Sequence, residues 1–379
     1  LNGKLIGQNA KTIVRPPRFT AWKLPNGESR FFYYIRNPFG HITSTVETYN
    51  DPQGNLKVRT NTFVYAANNF DLLSVTNAVG VRVEYNIYND SHQVATNRNA
   101  LGEDTVYSYD GSNRLVNIAR PTGLVTTNIY GADGFVKERR EVNVRTNFYL
   151  WANGLVQVQT NELGLVLSNS YDGLNRLRKV AYPDGTCVTN TYDNLDLVTA
   201  VDRMGFTNRY EFDRLGHMTR RIDALNRTNA YSYCVCGTLD SATDPTNQTT
   251  YYTYDLAGRL VLTSFPDGYW VSKSFDLMDR LTGSADAAGN NVTNWYNNQG
   301  LLIASSNSLG RLATYEYDLL DRPTKSVDAN GVEVTSTYDD VNRVRSRTYP
   351  ENGVEHFGYS ARGLIAYTNQ LSRITRYTY

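Results

Sequence analysis

Asp and Arg recur four residues apart in Asp110/Arg114, Asp172/Arg176, Asp255/Arg259, Asp276/Arg280, Asp318/Arg322 and Asp339/Arg343. A carboxylate beside a guanidinium could form a row of acid–base groups. A catalytic pair is built once, however, and this one is built in segment after segment. Repetition points to a structural task in which the aspartate caps a turn backbone and pairs with the arginine. The 29 tyrosines pose the same choice. They could form a stacking platform for sugars or bases, or a ladder of cross-strand aromatic contacts on a packed face. The ladder is the expected use. Cys234-Val235-Cys236, with Cys187 far off, could hold a metal or form a strained redox pair. The spacing places both sulfurs on one strand face with no second pair nearby, whereas structural zinc asks for four ligands. His41, His92, His217 and His356 fall in different segments and suggest no cluster. No G-x-S-x-G, H-E-x-x-H or P-loop pattern occurs. No catalytic, cofactor-binding or metal residue is assigned, no cofactor is expected, and the expectation is a non-enzymatic protein.

These residues sit in a repeated unit, seen most clearly in Tyr254-Asp255-Leu256-Ala257-Gly258-Arg259-Leu260 followed by Pro266-Asp267-Gly268 and Phe275-Asp276. An anchor residue recurs every 20 or 21 positions from Tyr88 to Tyr359, with Leu150 (Tyr149 beside it) filling one place. Four residues after the anchor stands Gly, Asn or Asp, as in Asn113, Gly134, Asn175, Asp196, Gly258 and Asp321; only His92 departs. Two residues further on stands an aliphatic, as in Leu115, Leu177, Val198, Leu260 and Ile365. Fourteen after the anchor a second turn residue appears, as in Gly102, Gly185, Asn226 and Gly268. The unit from Tyr130 lacks it, having Val142-Asn143-Val144 instead. Gly and Asn tolerate the positive φ that tight hairpins require. Two turns per unit leave segments of strand length. Residues 67–379 therefore read as a regular array of antiparallel β-hairpins. Residues 1–66 read as irregular, degraded repeats, with turn residues Gly40 and Gly54 and with Pro16, Pro17, Pro38 and Pro52 suited to edges or connections.

The array implies an all-β shape. About thirty strands exceed what an open twisted sheet sustains without curling. At ~4.8 Å per strand the ribbon is roughly 140 Å wide, and curled into one turn it encloses a space of radius on the order of 20 Å. Lys+Arg number 38 against 37 Asp+Glu, which argues against nucleic acid as the main partner. No apolar run reaches the ~20 residues that span a bilayer. No secretory signal is visible in this stretch, and the chain reads as part of a longer protein.

The motif Tyr-Asp-x-x-Gly/Asn-Arg-Leu with a following Pro-x-Gly resembles the YD repeat of the rearrangement-hotspot (Rhs) family. Tyr171-Asp172-Gly173-Leu174-Asn175-Arg176-Leu177 with Pro183-Asp184-Gly185, and Tyr109 to Leu115 with Pro121-Thr122-Gly123, carry it besides the unit quoted above. The resemblance covers about residues 67–379. It implies a hollow spiral shell of hairpins that encloses a C-terminal toxin in bacterial members, and a related adhesion shell in animal teneurins. Bacterial members also carry an Asp-Pro-x-Gly-Leu segment that supports self-cleavage. Asp51-Pro52-Gln53-Gly54-Asn55 is close to it but has Asn for Leu, lies at the wrong end, and is expected to be a repeat turn.

The functional expectation is a structural β-shell that encloses or displays a polypeptide, its partner being the C-terminal part of the same protein. The alternative is a surface adhesion or carbohydrate-binding module with a glycan or cell-surface partner. Either would be secreted or exposed at the surface of a bacterial cell.

Overall fold

The computed structural model describes residues 18–379; Pro16 and Pro17 lie outside them. Thirty-four strands run from Phe19–Lys23 to Ile374–Arg376, and one 3-10 turn, Pro350–Asn352, is the only helical element among the described residues. Each strand pairs antiparallel with the one before and the one after it, so the sheet is a single uninterrupted meander that does not close. The fold expected from the repeat is the fold observed.

The hairpins explain the punctuation of the sequence. In the unit at Tyr254, Gly258 N–H donates to Asp255 O at 2.9 Å and Asp255 N–H to Arg259 O at 3.0 Å. This is a three-residue loop, a type I turn followed by a left-handed residue. Gly258 has φ +79°, and Asn113, Asn175, Asp279, Asp321 and Asn342 take φ of 60–66° in its place. His92, whose type breaks the pattern, holds the same conformation at φ 60°, and Asn143 supplies the second turn that had no glycine, at φ 58°. Next to each first turn the ladder slips by one residue, as between Thr253 and Tyr254, a bulge that adds local twist.

Three first turns are one residue shorter, and the register moves with them. Ala152 pairs Leu155 across Asn153-Gly154, so the anchor of that unit is Trp151, not Leu150. Its indole donates to Val136 O at 2.8 Å, as the Tyr130 and Tyr171 hydroxyls do to the equivalent carbonyls, while Leu150 is largely exposed. Asp193 pairs Asp196 across Asn194-Leu195, which makes Asp196 a strand residue and Leu197, not Val198, the partner of Tyr192. Likewise Ser360 pairs Gly363, and Leu364 replaces Ile365 opposite Tyr359.

Almost no core exists in the ordinary sense. Leu24 and Tyr49 are the only buried large apolar residues among those described. The sheet is one layer thick, and its stability rests on neighbour-to-neighbour contacts. Residues 18–66 continue the same meander with longer strands, among them Ile42–Asn50 and Leu56–Tyr65. Pro38 and Pro52 sit in turns, and Asp51 Oδ1 accepts from the amides of Gln53 and Asn55 at 3.0 and 2.8 Å, the bracket of an ordinary repeat turn.

Candidate functional site

The ribbon is longer than its own circumference, and its later part returns against its beginning. Asn26 Nδ2 donates to Asn298 Oδ1 at 3.0 Å, Arg59 reaches Leu319 O and Asp321, and Arg362 Nε donates to Thr122 O at 2.7 Å. The partners are 272, 260–262 and 240 residues apart. One spiral turn thus takes about two dozen strands, a circumference on the order of 115 Å and a radius on the order of 18 Å. In every contact the second-turn edge of the earlier wall, or the longer strands beside it, meets the first-turn edge of the later wall.

The centre of this seam is a buried charge cluster. The Glu47 carboxylate lies between two guanidiniums, accepting from Arg59 at 2.6 and 2.9 Å and from Arg30 on its other oxygen. Arg59 Nη1 continues to Asp321 Oδ1 at 2.7 Å, and Arg30 Nη1 to Gln299 O at 2.9 Å. Tyr49 lies under Arg59 at 5.4 Å. Burial works against the Arg59 charge, yet hydrogen bonds to Asp321 and Glu47 hold its pKa above the ordinary value. Burial raises the Tyr49 phenol. Beside the cluster is an open crevice of about 780 Å³ lined by Tyr49, Lys57, Tyr315, Tyr317, Asp318 and Arg322. No signal local to residues 30, 47 and 59 marks them as a set; the longer strands that carry them are the trace of the seam.

Along each wall the Asp–Arg pairs and the anchors form one continuous device. Asp255 Oδ1 accepts from the amides of Ala257 and Arg259 at 2.9 and 3.0 Å, and Oδ2 from Arg259 Nε at 2.7 Å. Arg259 then lies 5.0 Å over the next anchor, Phe275, and donates to Asp276 O at 2.8 Å in the next turn. Arg280, Arg322 and Arg343 do the same to Asn297, Asp339 and Ser360. Most tyrosine anchors in turn donate their hydroxyl to a carbonyl of the preceding unit, 15 or 16 residues back: Tyr130 and Tyr171 do so to Leu115 and Val156 at 2.8 and 2.9 Å. The anchors therefore do not form the expected ladder of ring-on-ring contacts. Two strands separate them, roughly 9.6 Å, too wide for stacking, and a guanidinium fills the gap.

The ladder supports a local prediction. The Arg259 guanidinium holds the Asp255 carboxyl below the usual range, with help from the Arg259 and Ala257 amides. Asp255→Ala should speed amide hydrogen exchange at Ala257 and Arg259 and leave distant turns unchanged. Asp255→Asn should keep those amides protected, because Asn297 brackets Gln299 and Leu301 in the same way. Exchange that spreads evenly through the array in either variant would contradict a local cap.

Cys234 and Cys236 lie in a turn, not on a strand face. Cys234 and Cys236 form a disulfide with a Cα–Cα distance of 5.2 Å, and Cys187 is free. They occupy turn positions because the unit reads Tyr233-Cys234-Val235-Cys236-Gly237, with Cys234 where other units have Asp. The histidines stay apart: His41 packs on Tyr65 and Phe70, His92 bonds Asp71, and His217 bonds Asp213. No group of three or more His, Cys, Asp or Glu that could hold a metal occurs among the described residues. Among the described residues no helix is long and apolar enough to cross a membrane.

The family model RHS Repeat matches residues 296–333. No curated protein matches the chain. Among solved structures, the crystal structure of TcdB2-TccC3-Cdc42 is similar at 14% identity and TM-score 0.56, over 89% of this chain and 20% of that one. The Tc holotoxin pore of Photorhabdus luminescens, carrying a TccC3 mutation, is similar at 14% identity and TM-score 0.56, over 92% and 20%. TcdB2-TccC3 without its hypervariable C-terminal region is similar at 14% identity and TM-score 0.56, over 93% and 20%. At this identity the likeness is one of fold, and the chain spans about a fifth of the length of these proteins.

Proposed function

We propose that this Rhs/YD-repeat chain is a stretch of the wall of a hollow shell that encloses a polypeptide outside the cell that makes it. The observation that carries the reading is the seam. A one-layer sheet that winds past a full turn and is joined edge to edge by a buried charge cluster supports an enclosing wall. A radius on the order of 18 Å leaves an interior that short side chains cannot fill. The similarity to proteins of a Tc holotoxin supports a toxin as the contents. The wall's recurring Asp, Arg and Tyr are spent on holding turns together, which supports a structural, non-enzymatic role. Residues 18–66 belong, on this reading, to the same wall as 67–379.

Limited proteolysis of the full-length protein tests the proposal. An enclosed segment should resist protease in the intact particle and become digestible once the seam is opened with mild denaturant. If no protected segment exists and the intact wall binds glycans, the adhesion reading replaces this one.

A further inference from the structure

We propose that the Cys234–Cys236 turn is a thiol–disulfide exchange site, with Cys236 as the sulfur attacked and Cys234 as the leaving and resolving thiolate. The unit at Tyr233 departs from the motif at two places together. Cys234 stands for the turn aspartate and Thr238 for the arginine. Elsewhere this turn is built to hold an anion: a carboxylate oxygen receives the amide two residues on and a donor four residues on. Cys234 Sγ is in that place. It accepts from Cys236 N–H at 3.1 Å, and the Thr238 hydroxyl lies 3.2 Å from it and from Cys236 Sγ. A thiolate released at Cys234 therefore inherits a ready anion cradle, the setting that lowers a thiol pKa.

The second observation comes from the preceding unit. Where other units carry the arginine that reaches into the next turn, this one carries His217. Its ring stacks on Tyr233 at 4.7 Å, and Asp213 Oδ2 bonds its Nδ1 at 2.9 Å. Nε2 is thereby left facing the next turn, 3.5 Å from where a Cβ on Gly237 would stand. The titratable groups around the imidazole are Asp213 on its own turn, Tyr233 and the cysteines on the next, and Asp196 on the previous one, against Gly216. With Asp213 on Nδ1, the imidazole takes the place beside the cysteine turn that a guanidinium takes in the other units. Cys236 and Val235 are exposed at the tip, so a thiol on another molecule can approach.

The step balances without a further reagent. An incoming thiolate attacks Cys236 Sγ, forming a mixed disulfide and breaking the Cys234–Cys236 bond. Cys234 leaves as thiolate, held by the Cys236 amide and the Thr238 hydroxyl, and takes its proton from solvent. A second thiol on the incoming molecule then displaces Cys236, so two electrons and two protons pass from that dithiol to the pair. The substrate class is a dithiol, and the exchange is stoichiometric.

The test incubates the intact chain with glutathione or with a reduced dithiol peptide, quenches with an alkylating reagent, and reads each cysteine by mass spectrometry. Glutathione should leave an adduct on Cys236, and the dithiol peptide should become oxidised as the pair is reduced, while Cys187 is unchanged. Oxidation of the peptide without a glutathione adduct points to a polypeptide dithiol as the natural source; the reverse points to a small thiol. In the reduced chain, Cys234 should be alkylated about tenfold faster than Cys187 at pH 7. His217→Gln should remove most of that advantage. His217→Arg, which restores the residue of the other units, should keep it. The proposal is overturned if neither reagent exchanges with the pair, or if Cys234 reacts no faster than Cys187. A rate unchanged in His217→Gln would equally remove the imidazole from the mechanism.

Discussion

Glu47→Ala should open the seam and lower the stability of the overlapped walls by about 3 kcal/mol, in the range found when one partner of a buried ion pair is removed. The carboxylate is the only group between Arg30 and Arg59, and the side chains of all three are nine-tenths buried or close to it. Its loss leaves two guanidiniums facing each other, with Asp321 able to reach only one. Amides around Gln299 and Leu319 should exchange faster, and the denaturant midpoint should fall. Arg98→Ala is the control. That arginine makes an equally short bidentate bond to Asp104, but in the open, where screening leaves little net gain. It should leave the midpoint unchanged. Equal effects from the two variants would mean that the seam contributes nothing beyond an ordinary surface pair. The denaturant effect of Glu47→Ala should also persist at high salt, because a buried pair is screened little.

The array was readable from sequence because everything that defines a unit is local. Glycine and asparagine declare each turn by their tolerance of positive φ, and Asp four residues before Arg declares the cap. Where the reading slipped, the cause was a missing residue rather than a changed rule. The two-residue loops at Asn153-Gly154, Asn194-Leu195 and Ala361-Arg362 moved the register by one, hiding Trp151 behind Leu150. The role of the tyrosines was missed for a different reason. A phenol that bonds a carbonyl 15 residues back leaves no mark beyond the preference for Tyr over Phe. The seam was illegible in principle, since nothing local ties Arg59 to a residue 262 positions away. Its register follows from the curvature of the whole ribbon.

Stability should hold between about pH 5 and 9 and fall away on both sides, with the acid limb set by the turn aspartates. Thirteen aspartates have pKa values lowered from the ordinary 3.8. For Asp110, Asp172 and Asp255 the first cause is the side-chain bond from the paired arginine. A carboxyl with a depressed folded pKa binds protons more weakly in the fold than in the unfolded chain. Its contribution is complete above the unfolded value and is lost as pH falls through the folded one. Each exposed pair contributes little, but the cap is repeated along the wall and the losses fall in the same narrow range below pH 4. The alkaline limb has the opposite sign. Burial raises the phenols of Tyr88, Tyr109, Tyr233, Tyr296, Tyr317 and Tyr338 above 10.0. Each donates its proton to a carbonyl of the previous unit, a bond that a phenolate cannot make. That stability is complete below pH 10 and is lost as pH rises through the raised values. Thermal unfolding from pH 2.5 to 11 should trace a flat top with two steep sides. Replacing Asp110, Asp172 and Asp255 together by Asn should keep the amide brackets, lower the plateau through loss of the arginine bonds, and flatten the acid side. An unfolding midpoint that stays constant from pH 5 to pH 3 would show that the carboxylates do not secure the turns, and that the walls are held by backbone pairing alone.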